Sequence, residues 1–184
     1  MKFSQFLNET PVETEFSRAE IKSMTDSYKT VMLLKPEVLG KIKGREVVRY
    51  NKSEKSTRFA ILDHENKKVL FVSGLFYRRA YKGYTQGVIW KEDSKVTSAD
   101  VQKVFFDYAL KNAKLIMSDD LQSKGGKSFW YKICRNNLTS DKYEVGYVDE
   151  GDFIKFSKNN FEEEFEDLYG EDLHHTVLYI KLKG

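Results

Sequence analysis

The hydrophobic pattern of this chain changes from strand to helix period between Glu92 and Val101, and that change limits the folds open to it. The runs EVVRY (46–50), TRFAILD (57–63), KVLFVSGLFYRR (68–79) and GVIWKE (87–92) are dense in Val, Ile, Phe, Tyr and Leu. Such residues suit a pleated, half-buried surface, so each run is expected to be a strand. HENKK (64–68) reads as a polar turn, which makes the second and third runs a hairpin. Apolar residues then fall at Val101, Val104, Phe105, Tyr108 and Ala109, the spacing of one helix face. Thr97 or Ser98 caps that helix, with Asp100 in its first turn, where the helix dipole favours a carboxylate.

Beyond this helix the pattern alternates. KLIMS (114–118) is a short buried strand, and Phe129, Trp130, Ile133 and Cys134 give the next helix its inner face. YEVGYVD and DFIKFS read as strands, NFEEEFEDLYG as a short acidic helix, and TVLYIKLK as a closing strand. Near the start, Ser17 and Glu20 have the spacing of a capping box, which predicts a helix over 18–29. A meander of strands followed by a strand-helix-strand-helix unit predicts an α+β fold with a mixed, mostly antiparallel sheet flanked by helices.

A hydrophobic share of 40% in 184 residues is enough for one core, so residues 10–184 are expected to form a single domain. No apolar run reaches the roughly 18 residues of a membrane-spanning helix, and no membrane partner is expected. Cys134 is the sole cysteine, so no disulfide forms within the chain. Adjacent His174 and His175 would point to opposite faces of a strand, a poor chelate, and no metal is expected. The net charge of +3 is too small for the total to imply binding to a polyanion.

GVIWKEDSKVTSADVQKVFFDYALKNAKLIMSDD, followed by GGKSFWYKICRN, resembles the core of the GNAT acyltransferases in its order of strand, helix, strand and helix. The likeness covers roughly residues 17–150. It implies an acetyl-CoA-dependent N-acyltransferase acting on an amine. It places the cofactor along Ile89 and Trp90, with its pyrophosphate at Lys95, Val96, Thr97, Ser98 and Ala99, and Trp130 on the pocket wall. General-base candidates are Glu92, Asp119 and Asp120, at the ends of adjacent central strands. Two departures stand beside the likeness. The family's Arg/Gln-x-x-Gly-x-Gly/Ala loop is replaced by Glu92-Asp93-Ser94-Lys95-Val96-Thr97-Ser98, which has no glycine. The family's frequent acid, a tyrosine, aligns with Trp130, which has no titratable proton. Gln122-x-x-Gly125-Gly126 has two readings: a displaced anion loop, or a turn whose glycines supply unusual backbone angles. This stretch is also similar to one in GNAT-like proteins of tailed phages.

MKFSQFLNE (1–9) resembles the capsid-targeting leader of internal head proteins in large tailed phages, with Leu7-Asn8-Glu9 as its Leu-x-Glu cleavage site. The other reading is an N-terminal helical turn packed on the domain. The leader would place the protein in the virion interior and then the host cytoplasm; without it the expectation is cytoplasmic. It would also imply host takeover, with a host defence or transcription factor as target.

Cations are unevenly spread. Lys41, Lys43, Arg45, Arg49, Lys52, Lys55 and Arg58 crowd one segment, and Arg78, Arg79 and Lys82 interleave with Tyr77, Tyr81 and Tyr84. Basic residues with aromatics bind nucleic acid by phosphate contact and stacking. The plain alternative is a solvated strand face with guarded edges. Two function classes therefore follow: an N-acyltransferase, or a non-catalytic injected protein that binds a host factor or DNA.

Overall fold

The computed structural model describes residues 27–92, 94–119, 124–168 and 176–184. The leader, most of the helix predicted over 18–29, Asp93, Asp120, Gln122 and the His174-His175 pair lie outside the described residues.

The chain is α+β. Its elements run α1 (Tyr28–Leu33), β1 (Glu37–Ile42), β2 (Arg45–Ser53), β3 (Ser56–Asp63), β4 (Lys68–Arg78), β5 (Gly83–Lys91) and α2 (Ser98–Lys103). The helix of α2 widens to π-helical turns over Val104–Leu110 and ends in a last turn, Lys111–Ala113. Then come β6 (Leu115–Met117), α3 (Lys124–Asn137), β7 (Tyr143–Asp149), β8 (Asp152–Lys155), α4 (Phe161–Asp167) and β9 (Leu178–Leu182). The described residues fall into two compact units. One holds those within 27–77 and 86–112, the other those within 78–85 and 113–184.

In the first unit the strand order is β1-β2-β3-β4-β5, and β1 to β4 are antiparallel neighbours. Lys43 and Gly44 turn β1 into β2 with φ of 51° and 80°, the two positive angles of the tight turn that matches strand twist. The β3–β4 turn is held by Asp63, whose carboxylate accepts from Asn66 N at 3.0 Å and Asn66 Nδ2 at 2.9 Å. Period-two alternation splits the sheet into two apolar faces. Val48, Tyr50, Ala60 and Leu62 pack against Val31 of α1. Ser27 caps α1, accepting from Thr30 N at 3.1 Å. Tyr28 Oη and Glu46 bracket the ring of His64, at 2.6 Å from Nδ1 and 2.8 Å from Nε2, and fasten α1 to the hairpin. On the opposite face, Tyr108 of the π-helical segment lies over Gly40, the partner of Val47. A Cβ there would stand 2.5 Å from the Tyr108 hydroxyl.

In the second unit the order is β5-β6-β9-β7-β8. β5 and β6 run parallel, Tyr84 opposite Ile116 and Thr85 opposite Met117; the other pairs are antiparallel. One face buries Val145, Leu178 and Ile180, with α3 packed on β7 and β9. Phe156, Phe161 and Phe165 join α4 to this core, their ring centroids 5.0 to 6.2 Å apart. The other face carries Met117, Val148 and Tyr179, with Tyr81, Leu115 and Val177 against them.

Three readings of the sequence are corrected. β1 was not predicted. β5 begins at Gly83, four residues before the strand expected over 87–92; Leu115 Cδ2 lies 2.6 Å from where a Cβ at position 83 would sit, so glycine there makes room for β6. Gly125 and Gly126 form neither a loop nor a turn but lie in the first turn of α3, without positive φ.

Candidate functional site

Five residues expected to hold an anion share one turn of the first unit, between the end of β5 and the start of α2. Glu92 follows β5 directly, and its amide donates to Leu70 O at 2.9 Å. The chain then folds back: Lys95 N and Val96 N both donate to Glu92 O, at 3.0 and 2.9 Å. Val96 is buried and so presents no side chain to a ligand. Thr97 is the N-cap of α2. Its hydroxyl lies 3.4 Å from Asp100 N, and its amide and hydroxyl donate to Asp100 Oδ2 at 2.9 and 2.8 Å. This reciprocal arrangement is a capping box. Lys43, at the β1–β2 turn, completes it with Nζ 2.8 Å from the same oxygen.

The carboxylate so placed is 6% exposed. Burial by itself would raise the Asp100 pKa, but hydrogen bonds from Lys43 and Thr97 outweigh it and hold the group below its ordinary value. Arg45 Nη1 donates to Lys95 O at 2.8 Å and ties down the other side of the turn. Four backbone donors of the turn, at Lys95, Val96, Thr97 and Asp100, thus have partners within the chain, and the negative charge at the helix start is the protein's own.

Ser98 is half-buried and Ala99 exposed on the first turn of α2; Ile89 and Trp90 are half-buried on β5. The remaining predicted residues belong to the second unit. Asp119 is half-buried, one residue past Ser118. Ser118 joins β6 to β9: its amide donates to Leu178 O at 2.8 Å, and its Oγ accepts from Leu178 N at 2.9 Å. Trp130, 3% exposed, stands edge-to-face on Phe129 within the core of that unit. The neighbouring Tyr131 donates to Glu162 at 2.7 Å, and Arg135 also pairs with Glu162, which fastens α3 to α4. Cys134 is fully buried, and burial pushes its thiol pKa up.

The structure also sorts the basic residues. Arg49 pairs with Glu37, and Lys43 and Arg45 serve the α2 turn as described. Lys41 is exposed. Arg78 and Arg79 are exposed in the second unit. Among the described residues no three His, Cys, Asp or Glu side chains gather as a metal site. Sequence reasoning named Asp100 only as a residue favoured by the helix dipole. Its role as the cap carboxylate was available from the Thr-x-x-Asp spacing.

No protein-family model and no curated protein sequence matches the chain. Among solved structures, it is similar to the spermidine/spermine N-acetyltransferase SpeG from Vibrio cholerae, at 14% identity over 71% of this chain and 67% of that one, with a TM-score of 0.37. It is also similar to the aminoglycoside 6'-N-acetyltransferase from Enterococcus faecium, at 12% identity over 71% of this chain and 74% of that one, with a TM-score of 0.32.

Proposed function

We propose that this chain is a non-catalytic binding protein on an acyltransferase-like α+β scaffold. One observation carries the reading: the Asp100 carboxylate occupies the first turn of α2. A pyrophosphate there would meet a fixed negative charge, and the amides of Thr97 and Asp100 already have partners. The residues present do not fit the pyrophosphate of acetyl-CoA. Trp130, buried and without a titratable proton, supplies no acid in place of the family's tyrosine.

The leader resemblance of residues 1–9 adds a setting to this reading: delivery from a tailed-phage head into a host, where the protein binds a defence or transcription factor. The competing reading is acyl transfer from acetyl-CoA to an amine, with Glu92 as base. It draws on the order of β5, α2 and a parallel β6. Isothermal titration of the full chain with acetyl-CoA separates the two. Absence of saturable heat at millimolar ligand supports the binding protein. Saturable micromolar binding that is lost in Ala99→Glu restores the enzyme.

A further inference from the structure

We infer that the second unit carries a binding surface for single-stranded nucleic acid, formed by the Arg78–Gly83 turn and the exposed face of Phe153 on β8. The surface shares no residue with the α2 turn and stands whether or not that turn takes acetyl-CoA.

The turn is tight. Tyr81 N donates to Arg78 O at 3.2 Å and Lys82 N to Arg79 O at 3.3 Å, and Lys82 takes a positive φ of 48°. Arg78 Nε lies 3.2 Å from Thr85 Oγ1, which fixes the base of that side chain. The result holds Arg78, Arg79 and Lys82 at the surface, all exposed, within five residues of chain. Tyr81 points the other way, into the cluster of Met117, Val148 and Tyr179.

Phe153 arrives from more than seventy residues away. Its ring stands edge-to-face on Tyr179 at 5.0 Å and on Tyr81 at 6.2 Å. It is pinned by two aromatic rings, yet 37% of it remains exposed. Lys155, on the same strand face two residues on, is exposed as well. A held, partly bare ring in contact with Tyr81 of the turn that carries these cations suits a ligand that offers flat π-faces and negative charge together. A single-stranded nucleic acid has both, and it stacks without needing a particular base. Duplex DNA buries its base faces and lacks this fit. The local acidic residues limit the footprint. Glu150 sits in the β7–β8 turn, and Asp149 and Asp152 project from the strand face opposite Phe153.

The test is fluorescence anisotropy of a labelled oligothymidylate titrated with the full chain over a range of salt concentrations. The expected result is saturable binding that weakens with salt, with a log–log slope near −2 for three phosphate contacts. Phe153→Ala is expected to weaken binding about tenfold with the slope unchanged, and Phe153→Trp to retain it. Arg79→Ala with Lys82→Ala, both on exposed side chains, is expected to reduce the slope by about 1.4. Far-ultraviolet circular dichroism confirms that each variant is folded. Three outcomes would overturn the inference: no anisotropy change at low salt, wild-type binding by folded Phe153→Ala, or equal competition by polyphosphate, which has charge but no rings.

Discussion

Asp100 Oδ2 lies 2.9 Å from Thr97 N and 2.8 Å from Lys43 Nζ, so the first turn of α2 is closed by a carboxylate from its own helix and a cation from the β1–β2 turn. The local stability of this turn follows from that contact set.

Removing the carboxylate removes the cap. Asp100→Ala is expected to cost about 1–2 kcal/mol, the usual range for a lost N-cap partner. Lys43 has 56% of its side chain exposed, and solvent screens its ion pair. Lys43→Met should therefore cost under about 1 kcal/mol. Urea unfolding of both variants beside the parent checks the ranking. Equal losses would mean that the ion pair, not the cap, holds the turn.

The same group gives a pH signature. The Asp100 pKa is lowered from 3.8 in the folded chain: burial pushes it up, and the hydrogen bonds from Lys43 and Thr97 more than reverse this. Its contribution is therefore complete above the unfolded value and is lost as pH falls through the lower folded value. Asp63 is lowered as well, through its hydrogen bonds to Asn66, and acts in the same direction. Stability should fall as acid is added below about pH 4, and Asp100→Ala should fall less steeply. Thermal melts from pH 5 downward would show this; parallel curves would contradict it.

Gly146 sets how closely β7 and β8 approach. A Cβ at this position would run into the backbone carbonyl oxygen of Ile154 and lie 2.7 Å from Tyr179 Cε1. Backbone cannot swing aside, so Gly146→Ala should destabilise by about 2–3 kcal/mol. Gly40→Ala meets only the tip of Tyr108, and truncating that tip in Tyr108→Ala should relieve it. A Gly146→Ala protein with an unchanged melting temperature would refute the argument.

Cys134 offers a clean probe of the second unit, being the sole cysteine. It is fully buried on α3, and burial holds it in the thiol form. An aromatic disulfide reagent should find no reactive thiol in the native protein near pH 8 and one after denaturation. Rapid reaction without denaturant would mean that α3 opens readily.

Much of this architecture was legible because each element carries a strong period. The β3–β4 hairpin was readable from alternating large residues around a polar turn. The face of α2 was readable from Val101, Val104, Phe105 and Ala109, all buried. β1 escaped because Pro36 precedes it and Gly40 and Lys41 interrupt its apolar pattern, and an edge strand needs less apolar surface. The π-helical turns of Val104–Leu110 escaped too, since spacing alone does not encode a wider turn; they bring Leu110 into the core beside Ala109. At the candidate site, the missing glycines were visible in Glu92–Ser98. The closure was not, because Lys43 arrives from fifty-seven residues away in sequence.

The most direct test of that closure follows the backbone amides of residues 94–101 by nuclear magnetic resonance while coenzyme A is added to isotope-labelled protein. The account predicts that Thr97 and Asp100 amides keep their positions to millimolar ligand, as donors already bonded within the chain. Movement of both along one saturating curve would show a phosphate displacing the Asp100 carboxylate, and would contradict the claim that this turn is closed.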